Sequence, residues 1–223
     1  MVASWRPVGA RTTRSGHLQL VKDDTVELLA HDLRSPLATI AMNLDFTLSE
    51  LGPDLPPSVR GALEDCSQSS QVAVTLVADM VDALLLASGE LRPRLDDVDV
   101  QTLLASVVQD IATEASSRGV QLTWEAEPSV VRADAGLLHR ALQRVLARAL
   151  RYARSGAVLD VTLRTGMAAV RVRSTHSEPL AAEAGMRALA MRFADAALRA
   201  QGGAVWVEAE PDGGLLFCVA LPP

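Results

Sequence analysis

The sequence predicts an α+β protein in which a long helical hairpin precedes a mixed α/β domain. Three observations lead to this fold class. Apolar residues recur at spacings of three and four through two long segments, a dense Gly-Pro break separates these segments, and strand and helix patterns alternate through the rest of the chain. We therefore divide the 223 residues into a disordered tail (1–17), a hairpin domain (18–90) and an α/β domain (95–223).

The composition is that of a globular protein with an aliphatic core. Hydrophobic residues make up 49% of the chain and aromatic residues only 3%, so Leu, Val and Ala must fill the interior. The net charge of −6 argues against a nucleic-acid partner.

Cys66 and Cys218 lack metal-ligand spacing, and we expect both to be reduced core residues. No apolar run approaches the roughly 18 residues of a membrane span, so we expect a cytoplasmic protein without a membrane partner.

Two long helices form the predicted hairpin. The first runs from about Leu18 to Leu51, and the second follows Gly52-Pro53-Asp54-Leu55-Pro56-Pro57, starts with Ser58 as its cap and closes at Ser88-Gly89-Glu90. Each helix carries an apolar bundle seam: Val26, Leu29, Leu33, Leu37, Ile40, Leu44, Thr47 (or Leu48) and Leu51 on the first; Val59, Leu63, Cys66, Ser70, Ala73, Val77, Met80 and Leu84 on the second. A hairpin buries only half of a bundle, so we expect a homodimer with a four-helix bundle.

The remaining segments alternate in type and predict a sheet covered on one face by helices. We expect a strand at 97–100, a helix at 101–118 ended by Gly119, a strand at 120–125, a helix from Asp134 as its cap to about 153, strands at 157–164 and 168–173 around Thr165-Gly166, a helix at 184–201 stopped by Gly202-Gly203, and a hairpin of strands at 204–208 and 215–221 around Pro211-Asp212-Gly213-Gly214.

His31 is the candidate reactive residue of the hairpin. Its helical neighbours Glu27, Ser35 and Ala38 form a polar, small-residue face outside the seam, so the ring should project into water. Neutral imidazole is a good nucleophile near pH 7. The adjacent Asp32 could hold the other ring nitrogen and strengthen that nucleophile.

Simpler interpretations of the same residues stay open at this point. An exposed histidine is often an ordinary surface residue, and we treat His17, His139 and His176 as incidental. Pro36 should kink a continuous helix just after His31. Alternatively, Ser35-Pro36 could be the N-cap and first turn of a helix that starts there.

The segment His31-Asp32-Leu33-Arg34-Ser35-Pro36-Leu37-Ala38-Thr39-Ile40 closely resembles the H-box of the histidine-kinase dimerisation and phosphoacceptor domain. The resemblance implies that His31 accepts a phosphoryl group and that Asp32 is the acid/base residue. It implies that Arg34 and Ser35, with Ala38 on the same face, border the docking site of a response-regulator receiver domain. In phosphatase-competent relatives the position of Ser35 often holds Thr or Asn, which orients a water molecule, and serine could do the same.

The second domain resembles the ATP-binding domain of the same kinases, the α/β sandwich shared with the gyrase and Hsp90 ATPases, but the nucleotide motifs are replaced. Residues 144–153, RVLARALRYA, align with the N-box, and Arg144 and Arg148 stand where the family has asparagine. Arginine cannot ligate a cation. The next box is replaced by a segment at 173–179 that includes Ser174 and has no glycine or aspartate, and the final glycine box by 186–190, MRALA. About ten residues separate these two sites, too few for the usual ATP lid. We therefore expect no ATP binding.

Arg140, Arg144, Arg148 and Arg151 lie on one face of the same predicted helix. A solvated face is the simplest interpretation of such a stripe. A docking surface for an acidic partner is a sharper one, and a phosphate ligand in the former pocket is a third.

The leading hypothesis is a dimeric histidine phosphotransferase, similar to those of bacterial phosphorelays. The receiver of a hybrid histidine kinase would phosphorylate His31, which would pass the group to another receiver. The receivers carry their own Mg²⁺, so no cofactor is needed here. A divergent histidine kinase that uses ATP is the alternative, and a non-catalytic pseudokinase or a phosphatase acting on a response regulator is a third possibility.

Overall fold

A computed structural model describes residues 16–51, 55–164, 167–173, 189–210 and 214–222. Helices α1 (Gly16–Leu51) and α2 (Pro57–Ser88) pack along each other as the predicted hairpin. Helix α1 begins two residues before the predicted start, and residues 1–15 of the predicted tail lie outside the described residues. It continues through Pro36, so the alternative in which a helix starts at Ser35-Pro36 is wrong.

Helix α2 begins at a proline and ends at a glycine. Pro57 is the first helical residue and Pro56 the N-cap, without a side-chain capping bond, so the prediction that Ser58 caps this helix is wrong. Proline suits this position because its φ is already helical and it has no N–H to satisfy. Gly89 closes the helix in the left-handed region at φ 81°, which confirms the predicted stop.

The hairpin buries only part of its predicted seam within one chain. Ser67 on α2 donates a 2.5 Å hydrogen bond to Asp45 on α1, and this pair sets the helices in register. Leu33 and Ile40 are 49% and 48% exposed. Cys66, which we expected in the core, is exposed, because the neighbouring Ser67 is the residue that faces α1; Cys218 is buried as expected.

The α/β domain has strands on one side and three helices on the other within the part of the chain that is described. Its elements are β1 (Asp96–Asp99), α3 (Val100–Ser117), β2 (Gln121–Ala126), β3 (Val130–Ala133), α4 (Ala135–Tyr152), β4 (Val158–Arg164), β5 (Met167–Arg173), α5 (Leu189–Arg199), β6 (Ala204–Ala209) and β7 (Leu215–Ala220). The main sheet has the order β2-β4-β5-β7-β6, in which only β2 and β4 pair in parallel, and β1 pairs separately with β3.

Most predicted elements agree with this architecture to within one or two residues. Strand β3 was not predicted, because four residues with one arginine carry little periodic signal. Residues 165–166, 184–188 and 211–213, where we predicted two turns and the start of a helix, lie outside the described residues. Gly203 is required by packing, since a Cβ there would lie 2.6 Å from the carbonyl oxygen of Ala220.

The core is aliphatic, as the composition predicts. On β4, Leu159, Val161 and Leu163 alternate inward and are at most 1% exposed. They pack under α4, which buries Leu142 and Leu146. The core extends into the hairpin, because Leu86 of α2 belongs to the same apolar cluster.

Helix α2 is long and apolar enough to cross a membrane by length and composition alone, since an 18-residue window has a mean hydropathy of 1.6. This differs from our expectation that no segment approaches that length. The helix nevertheless carries Asp79 and Asp82, which bind arginines of α4. Only 17% of this window is buried within the chain, so most of the apolar surface of α2 is exposed in a single copy.

Asp134 joins the interdomain linker to the start of α4. One carboxylate oxygen accepts from the backbone N–H of Leu137, as predicted for a helix cap, and the other accepts from the N–H of Arg94 in the linker. We expect Asp134→Ala to lower the free energy of unfolding by about 1–2 kcal/mol, because both donors lose their acceptor. Asp134→Asn should recover only the capping part, because its amide keeps one acceptor oxygen. Urea denaturation measures both, and equal stabilities for Asn and Ala would contradict the assignment.

Asp99 caps α3, and the hydrogen bonds of this cap lower the pKa of its carboxyl group. The hydroxyl of Thr102 donates to it over 2.6 Å, and this bond, with backbone N–H donors, lowers the carboxyl pKa despite partial desolvation. The cap therefore stabilises the fold above the ordinary aspartate pKa of about 3.9, and the contribution is lost as the pH falls through the lower folded pKa. In an NMR titration, Thr102→Val should move the pKa of Asp99 back towards its ordinary value. An unchanged titration would show that the hydroxyl is not the cause.

Candidate functional site

His31 lies on the exposed side of α1, as its helical neighbours predict. Its side chain is 77% exposed and that of Asp32 is 76% exposed. Ser35 and Ala38, one and two turns further along the helix, are also exposed. Arg34 is half-buried at the border of this face. A partner molecule can therefore reach the ring from solvent.

Asp32 lies beside the imidazole without holding it tightly. The distance between His31 Nδ1 and Asp32 Oδ1 is 3.4 Å, longer than the usual 2.7–3.2 Å of such a bond. Because Nδ1 faces the carboxylate, Nε2 is the nitrogen positioned to attack an incoming electrophile. The carboxylate can then take or share the Nδ1 proton as the ring gains positive charge.

Pro36 contributes to the backbone around the site. It lies inside α1 and has no N–H, so the carbonyl of Asp32 lacks its normal partner four residues on. The next turn is supported by Thr39, whose hydroxyl donates to the carbonyl of Ser35 over 3.0 Å. The helix therefore persists through the site although one backbone bond is missing.

The arginine stripe on α4 binds α2 and does not simply face solvent. Arg140 donates to Asp79 over 3.0 Å and to Asp82 over 2.7 Å, and Arg144 donates to Asp79 over 2.5 Å. The interpretation of a solvated face is therefore wrong for these two residues. Their acidic partner is another helix of the same chain.

Asp79 is the residue that sequence reasoning missed. It is fully buried, at 0% exposure, inside an otherwise apolar stretch of α2. Burial lowers the pKa of Arg140, but its bonds to Asp82 and Asp79 outweigh this effect and raise the pKa overall. Two aspartates three residues apart in an apolar helix could have predicted this cluster, because a buried carboxylate needs cationic partners.

Arg148, the second replaced N-box position, turns the other way along α4. Its guanidinium donates to the hydroxyl of Tyr152 over 2.8 Å and lies 4.9 Å from the centre of that ring. Ser174 and the other predicted replacements at 173–190 fall almost entirely outside the described residues. The donors at the two N-box positions are guanidinium groups, which repel Mg²⁺, so these residues do not fit a metal-bound nucleotide.

His139 forms the other histidine cluster in the described structure. Its Nε2 lies 3.4 Å from both Ser106 Oγ and Asp110 Oδ2. A catalytic triad would use one ring nitrogen for each partner, so this arrangement is a surface hydrogen-bond cluster. Within the described ranges, no group of three or more His, Cys, Asp or Glu residues is placed to hold a metal ion.

Comparisons with known proteins agree with this architecture. Residues 21–89 match the His Kinase A (phospho-acceptor) domain family. The chain is 25% identical to the sensor protein DivL of Caulobacter vibrioides over 95% of this chain and 29% of DivL. It is 32% identical to the sensor protein KdpD of Mycobacterium tuberculosis over 56% of this chain and 15% of KdpD.

Solved structures show the same fold. The structure of full-length ShkA in complex with AMPPNP superposes with a TM-score of 0.66 at 20% identity, covering 90% of this chain and 46% of ShkA. The Acinetobacter baumannii histidine kinase AdeS superposes with a TM-score of 0.60 at 14% identity, covering 86% of this chain and 97% of the other.

The fold and the exposed histidine define a class, in which a phosphoacceptor hairpin is followed by an α/β domain of the histidine-kinase type. Residues 21–89 are similar to the phosphoacceptor domain of histidine kinases, and the chain is histidine-kinase-like in its architecture. The chain spans less than a third of the length of DivL and of KdpD.

We expect His31→Gln to leave the fold unchanged, because the ring is 77% exposed and, among the described residues, makes one long contact, with Asp32. Its free energy of unfolding should lie within about 0.5 kcal/mol of the wild type. Leu142→Ala, at a position 1% exposed, is the control and should cost about 2–5 kcal/mol. Thermal denaturation followed by circular dichroism measures both. A comparable loss in both variants would mean that His31 is a structural residue.

Proposed function

We propose that this protein carries a phosphoryl group on His31 in two-component signalling. The observation that supports this most directly is the exposed His31–Asp32 pair, within the segment that matches the phosphoacceptor family. In the proposed step, Nε2 forms a bond to phosphorus as the donor's P–O bond breaks. Asp32 then balances the charge that develops at Nδ1.

The relatives favour ATP as the source of the phosphoryl group. The histidine kinase family and the sensor-protein relatives agree better with a divergent histidine kinase than with the phosphotransferase hypothesis. This candidate function requires ATP to bind the α/β domain in spite of the guanidinium groups at both N-box positions, with the γ-phosphoryl group passing to His31 and ADP leaving.

A specific observation supports the second candidate, a histidine phosphotransferase that uses no ATP. Arg144 stands at an N-box position and is bound to the buried carboxylate of Asp79. Phosphoryl transfer from ATP depends on metal ions that neutralise the developing charge, and a guanidinium cannot hold them. The donor would then be the aspartyl phosphate of a receiver domain, which brings its own Mg²⁺.

The hairpin surface supports a homodimer in either case. Leu33, Ile40, Leu51, Val59 and Leu84 of the predicted seam are each more than 40% exposed in one chain. Exposed apolar side chains along a helical hairpin are the surface that a second copy would cover in a four-helix bundle. We also propose that the protein acts in the cytoplasm.

Phosphorylation of the purified protein distinguishes the two sources. We expect a phosphorylated receiver domain to label His31 if the protein is a phosphotransferase, and radiolabelled Mg-ATP alone to label it if the protein is a divergent kinase. Both labels should be lost in His31→Gln, whereas Ser35→Ala should keep them and lose any phosphatase activity on the receiver. Failure of both donors to label the wild type would contradict the carrier function and leave a regulatory protein without catalysis.

A further inference from the structure

Asp79, Asp82, Arg140 and Arg144 form an ion cluster between the two domains, which we call the interdomain clasp. Asp79 has 0% side-chain exposure and accepts from both arginines, while Asp82, at 27%, accepts from Arg140. A carboxylate buried this deeply is tolerated only with its cationic partners in place. The α/β domain therefore supplies the charges that allow α2 to bury Asp79.

The interdomain clasp restricts both the rotation of α4 and its position along α2. Arg140 reaches both aspartates from one side and lies 4.3 Å above the centre of the buried Phe193 ring of α5. Arg144 approaches Asp79 from the next turn of α4. Charge-assisted bonds from two guanidinium groups with different positions define both the rotation and the height of α4 along α2.

Apolar packing alone would define this arrangement less sharply. Helix α2 also packs against α5, and Leu86 joins the core of the α/β domain. Such contacts are non-directional, so helices can shift along them at small cost. The interdomain clasp supplies the directional contacts of this interface.

The clasp lies at the level of the phosphoacceptor along the hairpin. Ser67 of α2 is beside Asp45 of α1, since the two side chains are hydrogen-bonded. His31 lies 14 residues before Asp45 on α1, and Val81 lies 14 residues after Ser67 on α2. Because the two helices run antiparallel, His31 and Val81 lie at the same level along the hairpin. Val81 stands between Asp79 and Asp82 in the sequence.

We propose that the interdomain clasp locks the α/β domain in one orientation on the hairpin, beside the level of His31. The arginine at position 144 then has a function of its own: in place of an N-box asparagine it holds the domains together. The lock does not depend on the source of the phosphoryl group, so it can hold or fail whichever candidate function is correct.

Distances between spin labels test the lock directly. Gln68→Cys on α2 and Gln109→Cys on α3 are exposed labelling positions, introduced with Cys66→Ser and Cys218→Ala. Labelled chains are diluted with unlabelled chains so that only distances within one chain are measured. The otherwise unchanged protein should give one narrow distance distribution.

The decisive variant replaces the buried charges together, as Asp79→Leu, Arg140→Met and Arg144→Met. Replacing a buried carboxylate together with both of its guanidinium partners by apolar residues of similar size often preserves stability, so this variant separates orientation from folding; Asp82, which is 27% exposed, stays. We expect its distance distribution to become at least twice as wide. Arg132→Gln, which breaks the exposed ion pair with Asp97 inside the α/β domain, is the matched control and should stay narrow.

A width equal to that of the unchanged protein in the triple variant would overturn the proposal, because apolar packing would then be sufficient to fix the orientation. If the triple variant does not fold, the same measurement on Asp79→Asn decides, since asparagine keeps the size and polar atoms but removes the charge. Broadening in Asp79→Asn supports the lock, and a narrow distribution overturns it.

Discussion

The buried carboxylate of Asp79 is the constraint on which the arrangement of the two domains depends. It has no exposure to solvent and two guanidinium partners on α4. Removing one partner from a buried pair typically costs about 3–5 kcal/mol, because the remaining charge keeps its desolvation penalty. Helices α2 and α4 must therefore move together, and the hairpin and the α/β domain form a single unit.

The same constraint explains two of the arginines, Arg140 and Arg144, on the helix that resembles an N-box. Asparagine at position 144 could bind a metal-bound phosphate but would leave the buried carboxylate of Asp79 with one guanidinium partner, Arg140, instead of two. Arginine neutralises Asp79 and cannot bind the metal. The two uses of this position exclude each other chemically, and the structure shows Arg144 used for the contact between domains.

Local signals in the sequence predicted most of the fold. Gly89 ends α2 and Asp134 caps α4 because each acts on its own neighbouring backbone. The cluster around Asp79 could not be predicted in this way, since Arg144 lies 65 residues further along the chain. The sequence pattern also suggested that Cys66 was in the seam, but a rotation of one residue placed Ser67 against α1 instead. The spacing of apolar residues predicts which side of a helix is buried only to within about one residue, whereas a single hydrogen bond fixes which residue faces the neighbouring helix.

The candidate site was predictable for the opposite reason. His31, Asp32 and Ser35 lie within two consecutive turns of one helix, so their relation follows from helical geometry alone. What sequence could not show is that the α/β domain is attached to the other helix of the hairpin at the level of His31. A reactive residue that needs no tertiary contact of its own leaves its face open to a partner. His31 is carried by α1 and its side chain is 77% exposed, whereas Asp79 and Asp82 of α2 hold the α/β domain, so the candidate site and the attachment of the second domain use different helices of the hairpin.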